Sequence, residues 1–188
     1  YIYLRYKKNI KKNLLPVLVL VLITAGCESI PPLNFMMDDV TPSNNRKDAE
    51  LKSLTVGFVP ASQQVKNDCN NPNVPGIFKE ALQDAIDRSL VFSDDAEMKV
   101  NLSARIITCD LPAAGIAMVT TVATKYEITD RSSGDVIFSE IVSTNGVVEF
   151  GFSPIGVVRM QESTNRAFRN NIGSLLWKLE DRNFSLND

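Results

Sequence analysis

From Lys99 to Ile106 every second residue is apolar. Val100, Leu102, Ala104 and Ile106 alternate with Lys99, Asn101, Ser103 and Arg105. A strand turns successive side chains to opposite faces, so this stretch fits a strand with one face in a core and one in water. Such a sheet needs a cover, and the surrounding sequence supplies two. Residues 76–91 place Ile77, Phe78, Ala81, Leu82, Ala85, Ile86 and Leu90 on one side of a helix, with charges opposite. Residues 160–179 do the same with Ala167, Phe168, Ile172, Leu175, Leu176 and Leu179.

The remaining strands follow from composition and turn chemistry. Leu54, Val56 and Phe58 form a first alternating run, stopped by Pro60. Residues 61–75 read as a polar loop. Residues 115–130 are rich in Val, Thr and Ile and predict a long strand. Arg131-Ser132-Ser133-Gly134-Asp135 is a turn, and residues 136–144 are its hairpin partner. Asn145-Gly146 reads as a further turn or bulge before a short apolar run at 147–150. The expected fold class is α+β. One mostly antiparallel sheet of about four strands carries two amphipathic helices on one face, in the order β-α-β-β-β-α. The first β-α-β unit would place its strands in parallel.

The N-terminal segment has a different character. Arg5, Lys7, Lys8, Lys11 and Lys12 precede an apolar run over 14–23, with no acidic residue before Glu28. The run is far short of the ~20 residues needed to span a bilayer as a helix. It matches the apolar region of a secretory signal. The run ends in Thr24-Ala25-Gly26-Cys27. Ala25, Gly26 and Cys27 resemble the lipobox of bacterial lipoproteins, with Thr24 where Leu is commonest. The resemblance implies acylation of Cys27 and cleavage before it, several acyl chains being needed for a stable anchor. Glu28, rather than Asp, implies the outer membrane and its periplasmic face. The expected organisation is a signal peptide over 1–26, a lipidated flexible tether over 27–50, and a single domain over 51–188. The tether holds Pro31-Pro32, Asn44-Asn45 and a small apolar island of Leu33, Phe35, Met36 and Met37, expected to pack on the domain or rest near the lipid surface.

Charge and cysteine content narrow the function. Five of the 20 basic residues and none of the 22 acidic ones lie in residues 1–26, so the remaining 162 residues carry 15 basic against 22 acidic, a net charge of −7. No basic stripe suits nucleic acid, so no nucleic-acid partner is expected. With Cys27 lipidated, Cys69 and Cys109 remain. They are either two buried thiols or a disulfide, and the even count in an oxidising compartment favours the disulfide.

Catalytic chemistry finds little support. The chain has no histidine, which removes the commonest general base and metal ligand. No cysteine pair has metal-binding spacing, and no glycine-rich phosphate loop or nucleophile elbow occurs. The acidic clusters Asp38-Asp39, Asp94-Asp95 with Glu97, and Glu180-Asp181 fall in loops or at helix ends, where solvated carboxylates are expected. No catalytic residue, metal or cofactor is therefore assigned. Phe150, Phe152 and Ile155, strung around Gly151, Pro154 and Gly156, could either close the core or form a partner-contact segment.

The order of these elements, with the lipobox, resembles the small Gram-negative lipoproteins of the YajG type. The likeness lies in the helix ending near Leu90, in Val100-Asn101-Leu102 opening an alternating strand, in the long hairpin, and in the closing helix over 166–179. It implies an envelope-anchored, non-enzymatic module and supplies no catalytic residues. The expected function is a non-catalytic interaction or assembly module with an envelope protein partner. An accessory subunit of a secretion, transport or surface-appendage machine is one alternative, and a carrier of a lipid or other apolar ligand is another.

Overall fold

The computed structural model describes residues 30–69 and 71–182. The chain forms β1 (Glu50–Phe58), β2 (Lys66–Asn67), α1 (Val74–Ser89), β3 (Lys99–Asp110), β4 (Met118–Asp130), β5 (Val136–Val148) and α2 (Gly156–Asp181). The long strands lie in the order β1-β3-β4-β5, and the two-residue β2 pairs β3 beyond the end of β1. β1 and β2 run parallel to β3, while β3–β4 and β4–β5 are antiparallel. The α+β class read from the alternation is the one adopted. Cys27 and its signal-like approach lie outside the described residues.

Register explains the core. Leu54, Leu102, Ile128 and Phe138 form one row across all four long strands, and each is buried. α1 lowers Phe78, Leu82 and Ile86 onto this face, and α2 lowers Phe168, Ile172, Leu175 and Leu179. Each large apolar side chain so buried contributes about 1.5–3 kcal/mol relative to exposure. A disulfide joins Cys69 to the buried Cys109, with Cα atoms 5.6 Å apart, within the range such bonds require. The β2–β3 pairing brings them together: Asn67 is in register with Cys109, and the Asp68 amide donates to the Cys109 carbonyl at 2.8 Å.

The chain before β1 departs from expectation. The apolar island packs on the domain, and a flexible tether does not describe most of 27–50, because residues 33–49 form a strap packed along the helices. Phe35 is fully buried, stacked on Phe168 with ring centroids 4.1 Å apart and meeting Phe78 edge-on at 6.3 Å. Asn165 holds the strap from both sides, accepting from the Asn34 amide at 2.9 Å and donating to the Pro32 carbonyl at 3.1 Å. Arg88 donates to the carbonyls of Met37 and Asp38 at 2.8 and 2.9 Å. Further along, the buried Lys47 donates its ammonium to the Glu180 carbonyl at 3.0 Å. A cation at the C-terminal end of α2 complements the helix dipole. Burial pushes the Lys47 amine down from its ordinary value, against the opposing pull of Glu180 and Asp181. One buried aromatic ring and borrowed hydrogen bonds hold the strap, which needs no period of its own.

Asn145-Gly146 is neither a turn nor a break. β5 runs through it to Val148, and Gly146 sits opposite Thr120. A Cβ at Gly146 would lie 1.9 Å from the Ser163 carbonyl oxygen and 2.4 Å from the Ala167 nitrogen. The glycine is there because the α2 backbone passes directly over it.

Candidate functional site

The acidic clusters do not assemble a site. Asp38, Asp39, Asp94, Asp95 and Glu97 are exposed on separate loops, and Glu180 caps the strap through the Asn44 amide at 2.8 Å. No group of His, Cys, Asp and Glu among the described residues is arranged to hold a metal. Near the disulfide, Lys66 bridges Asp68 and Asp110. Hydrogen bonds to Asp110 and Asp68 push the Lys66 amine up, and the Leu111 amide, with Lys66, holds the Asp68 carboxyl down. This exposed trio fixes the loop carrying Cys69 rather than forming a cleft.

Between α2 and the sheet lies a polar seam instead of a purely apolar one. Tyr126 donates its hydroxyl to Asn171 Oδ1 at 2.6 Å, and Asn171 Nδ2 donates to the Val142 carbonyl at 2.9 Å. The Thr120 and Ser163 hydroxyls pair at 2.7 Å, and Thr144 donates to the Ala167 carbonyl at 2.9 Å. These groups are satisfied by one another, as buried polar atoms must be. Burial pushes the Tyr126 phenol far above its ordinary value. The seam orients α2 on β4 and β5. The layer between helices and sheet is filled by Phe35, Phe78, Phe168 and Tyr126, so a carrier of apolar ligands gains no support there.

Two surface features stand out. The first is the free edge of β5. An open groove of about 760 Å³ runs between that edge and α2, lined by Met37, Ile141, Arg169, Gly173, Trp177 and Lys178. Trp177 is 65% exposed. Toward its C-terminal end the edge is closed by the helix: Asn170 donates to the Asn145 carbonyl at 2.8 Å and Arg166 to the Val147 carbonyl at 3.0 Å. Caps of this kind blunt a strand edge against unwanted pairing.

The second feature is the end of the molecule where β4 begins, β5 finishes and α2 starts. Phe150, Phe152 and Ile155 all lie here on the surface, with Phe150 55% exposed, joined by Ile116 and Val157. Val119 and Val147, an exposed cross-strand pair, extend the same end onto the open face of the sheet. The alternative that this segment closes the core does not hold for these side chains. The core is closed beneath them by Val148, Met118 and Val158. Arg159 organises the end from inside: its guanidinium donates to the carbonyls of Ser153 at 2.6 Å and Gly115 at 3.2 Å and lies 5.0 Å from the Phe150 ring centroid. Arg166 stands 5.4 Å from the Phe152 ring centroid. Cation–π contact explains how two aromatic rings are held outward instead of folding in. No charged residue occurs in 111–124 or 150–158, the two segments that build this end. That silence in the charge pattern was the sequence signal for a surface patch, and the role of Arg159 in propping it carried no signal at all.

No protein-family model matches the chain, and no curated protein matches it. Among solved structures, the chain is similar to a Xanthomonas campestris protein of the DUF330 family, with a TM-score of 0.54 at 12% identity, covering 74% of this chain and 90% of that one. It is similar at lower scores to the PelC dodecamer from Paraburkholderia phytofirmans (TM-score 0.48, 13% identity, 77% and 95% covered). A minor lipoprotein from Acinetobacter baumannii gives a TM-score of 0.41 at 12% identity, with 72% and 92% covered. The first likeness shows a shared fold; at such identity it transfers no residue roles.

Proposed function

We propose that this chain is an envelope lipoprotein, anchored through acylated Cys27 to the outer membrane on its periplasmic side, and that its domain is a non-catalytic interaction module. The carrying observation is the basic, apolar, small-small-Cys approach to Cys27, followed within a few residues by a strap packed on the domain. A disulfide between Cys69 and Cys109 agrees with export to an oxidising compartment. No described helix is long and apolar enough to cross a membrane, so attachment would fall to the acyl chains. Kinship with the YajG type rests on element order and the lipobox.

Replacing Cys27 with Ala should release the protein from membranes or leave it unprocessed. Unchanged outer-membrane fractionation of that variant would overturn the anchor. The interaction role draws on the open β5 edge beside Trp177, since an exposed strand edge accepts an added strand from a partner. A partner should co-purify after mild detergent extraction and be lost from an Ile141→Ser, Trp177→Ala variant. A strictly monomeric, partnerless protein at native expression would speak against it. An accessory role in a secretion, transport or appendage machine is the sharper form of the same reading, and genes for machine components beside this one would favour it.

A further inference from the structure

We infer that the apolar end formed by Ile116, Phe150, Phe152, Ile155 and Val157 lies against the phospholipid surface, so that the anchor holds the domain in one orientation. This rests on the proposed acylation of Cys27. The argument is where the strap leads. Its contacts run parallel to α2: Pro32 and Asn34 lie at Asn165, Phe35 at Phe168, and Asn44 at Glu180. The chain therefore approaches the start of α2 as it is followed toward residue 30. From Asn165 to Gly156 is nine helical residues, about 14 Å along the axis. From Pro32 back to Cys27 is five residues, a reach of up to about 17 Å. The lipid attachment point thus comes within reach of the first turn of α2, where the exposed phenylalanines stand.

The chemistry of that end suits a lipid interface. Its two segments carry no charge that would have to be desolvated. Aromatic and branched apolar side chains gain by partial burial at the acyl boundary, and each adds to the hold of the acyl chains. The opposite end is different in kind: Glu180, Asp181 and Arg182 crowd the close of α2. A tether pulling this apolar end to the bilayer leaves the β5 groove and Trp177 facing the periplasm, because Trp177 lies some 32 Å further along the α2 axis.

The chain's sole tryptophan makes the test direct. Full-length, acylated protein is reconstituted into phosphatidylethanolamine–phosphatidylglycerol vesicles containing phosphatidylcholine brominated high on its acyl chains. Native Trp177 reports one end, and a Trp177→Phe, Phe152→Trp variant reports the other; a Trp177→Phe, Ile155→Trp variant serves as a second probe if the first misfolds. Emission at 152 or 155 should be quenched about threefold or more, while Trp177 is unaffected. Equal, weak quenching at both ends overturns the orientation, since a domain swinging freely gives that result. Shielding of position 152 from both bromolipid and aqueous iodide overturns it in favour of a second copy covering the patch. Vesicle flotation and the mass of the Cys27 peptide report the anchor separately. Protein that floats through an acylated Cys27 yet shows no quenching loses the orientation alone, whereas an unacylated Cys27 removes both.

Discussion

Gly146→Ala should cost about 1–5 kcal/mol of folding stability, a large loss for one methyl group. The new Cβ would stand 1.9 Å from the Ser163 carbonyl oxygen and 2.4 Å from the Ala167 nitrogen, both backbone atoms of α2. No rotamer relieves a clash with backbone. The helix must retreat by about 1.5 Å to restore van der Waals separation. Overpacking of this kind costs roughly 1–3 kcal/mol. The retreat also stretches the two hydrogen bonds that straddle the site, Thr120 with Ser163 at 2.7 Å and Thr144 with the Ala167 carbonyl at 2.9 Å. A buried polar group left unpaired costs a further ~1–3 kcal/mol. Against this, alanine recovers only about 0.5–1 kcal/mol of backbone entropy. Gly76→Ala provides the control. It lies in α1, a Cβ there would meet nothing within 4 Å, and the same entropic term should stabilise the protein by about 0.5–1 kcal/mol. Urea unfolding, with midpoint and slope compared across the three proteins, measures both. A Gly146→Ala loss below about 1 kcal/mol would refute the close-approach reasoning.

Other expectations follow from the same contacts. Phe35→Ala should destabilise by about 3–5 kcal/mol by urea unfolding, as for other buried aromatics, whereas a loose tether would give no change. Reducing the Cys69–Cys109 bridge, with its separation of 40 residues, should lower stability by roughly 4 kcal/mol in the chain-entropy model; thiol alkylation of denatured, unreduced protein should label neither cysteine. From Cys27 onward Tyr126 is the sole tyrosine. Its phenol is raised above the unfolded value of 10.0, so stability is intact below that pH and falls above it, where only the unfolded chain ionises. Tyrosinate absorbance should therefore appear only together with alkaline unfolding, and a smooth titration near pH 10 in folded protein would contradict the burial.

Strong periodicity made most of the fold legible. The alternation at Lys99–Ile106 gave β3 its inward face, and helical spacing gave α1 and α2 within a few residues at each end. α2 starts at Gly156 rather than near Met160, and its first turn packs beside Met118, a contact from the distant start of β4. What stayed hidden was every feature made by contact rather than by period. β2 is two residues long and exists only because β3 extends past β1. The strap is held by Phe35 and by side chains of Arg88 and Asn165, so its own sequence of prolines and asparagines looks like a linker. Asn145-Gly146 carries the composition of a turn, yet a passing helix backbone explains the glycine better. The exposure of Phe150, Phe152 and Ile155 depends on what lies beneath them, which the local sequence does not record.

Everything proposed for the cellular role turns on Cys27. The decisive measurement is the mass of the N-terminal peptide from protein extracted from its native membranes. The account predicts that the mature chain starts at Cys27 and carries a diacylglyceryl thioether and an acylated amino terminus. A peptide continuing upstream through Gly26, or a Cys27 without acyl chains, would contradict it.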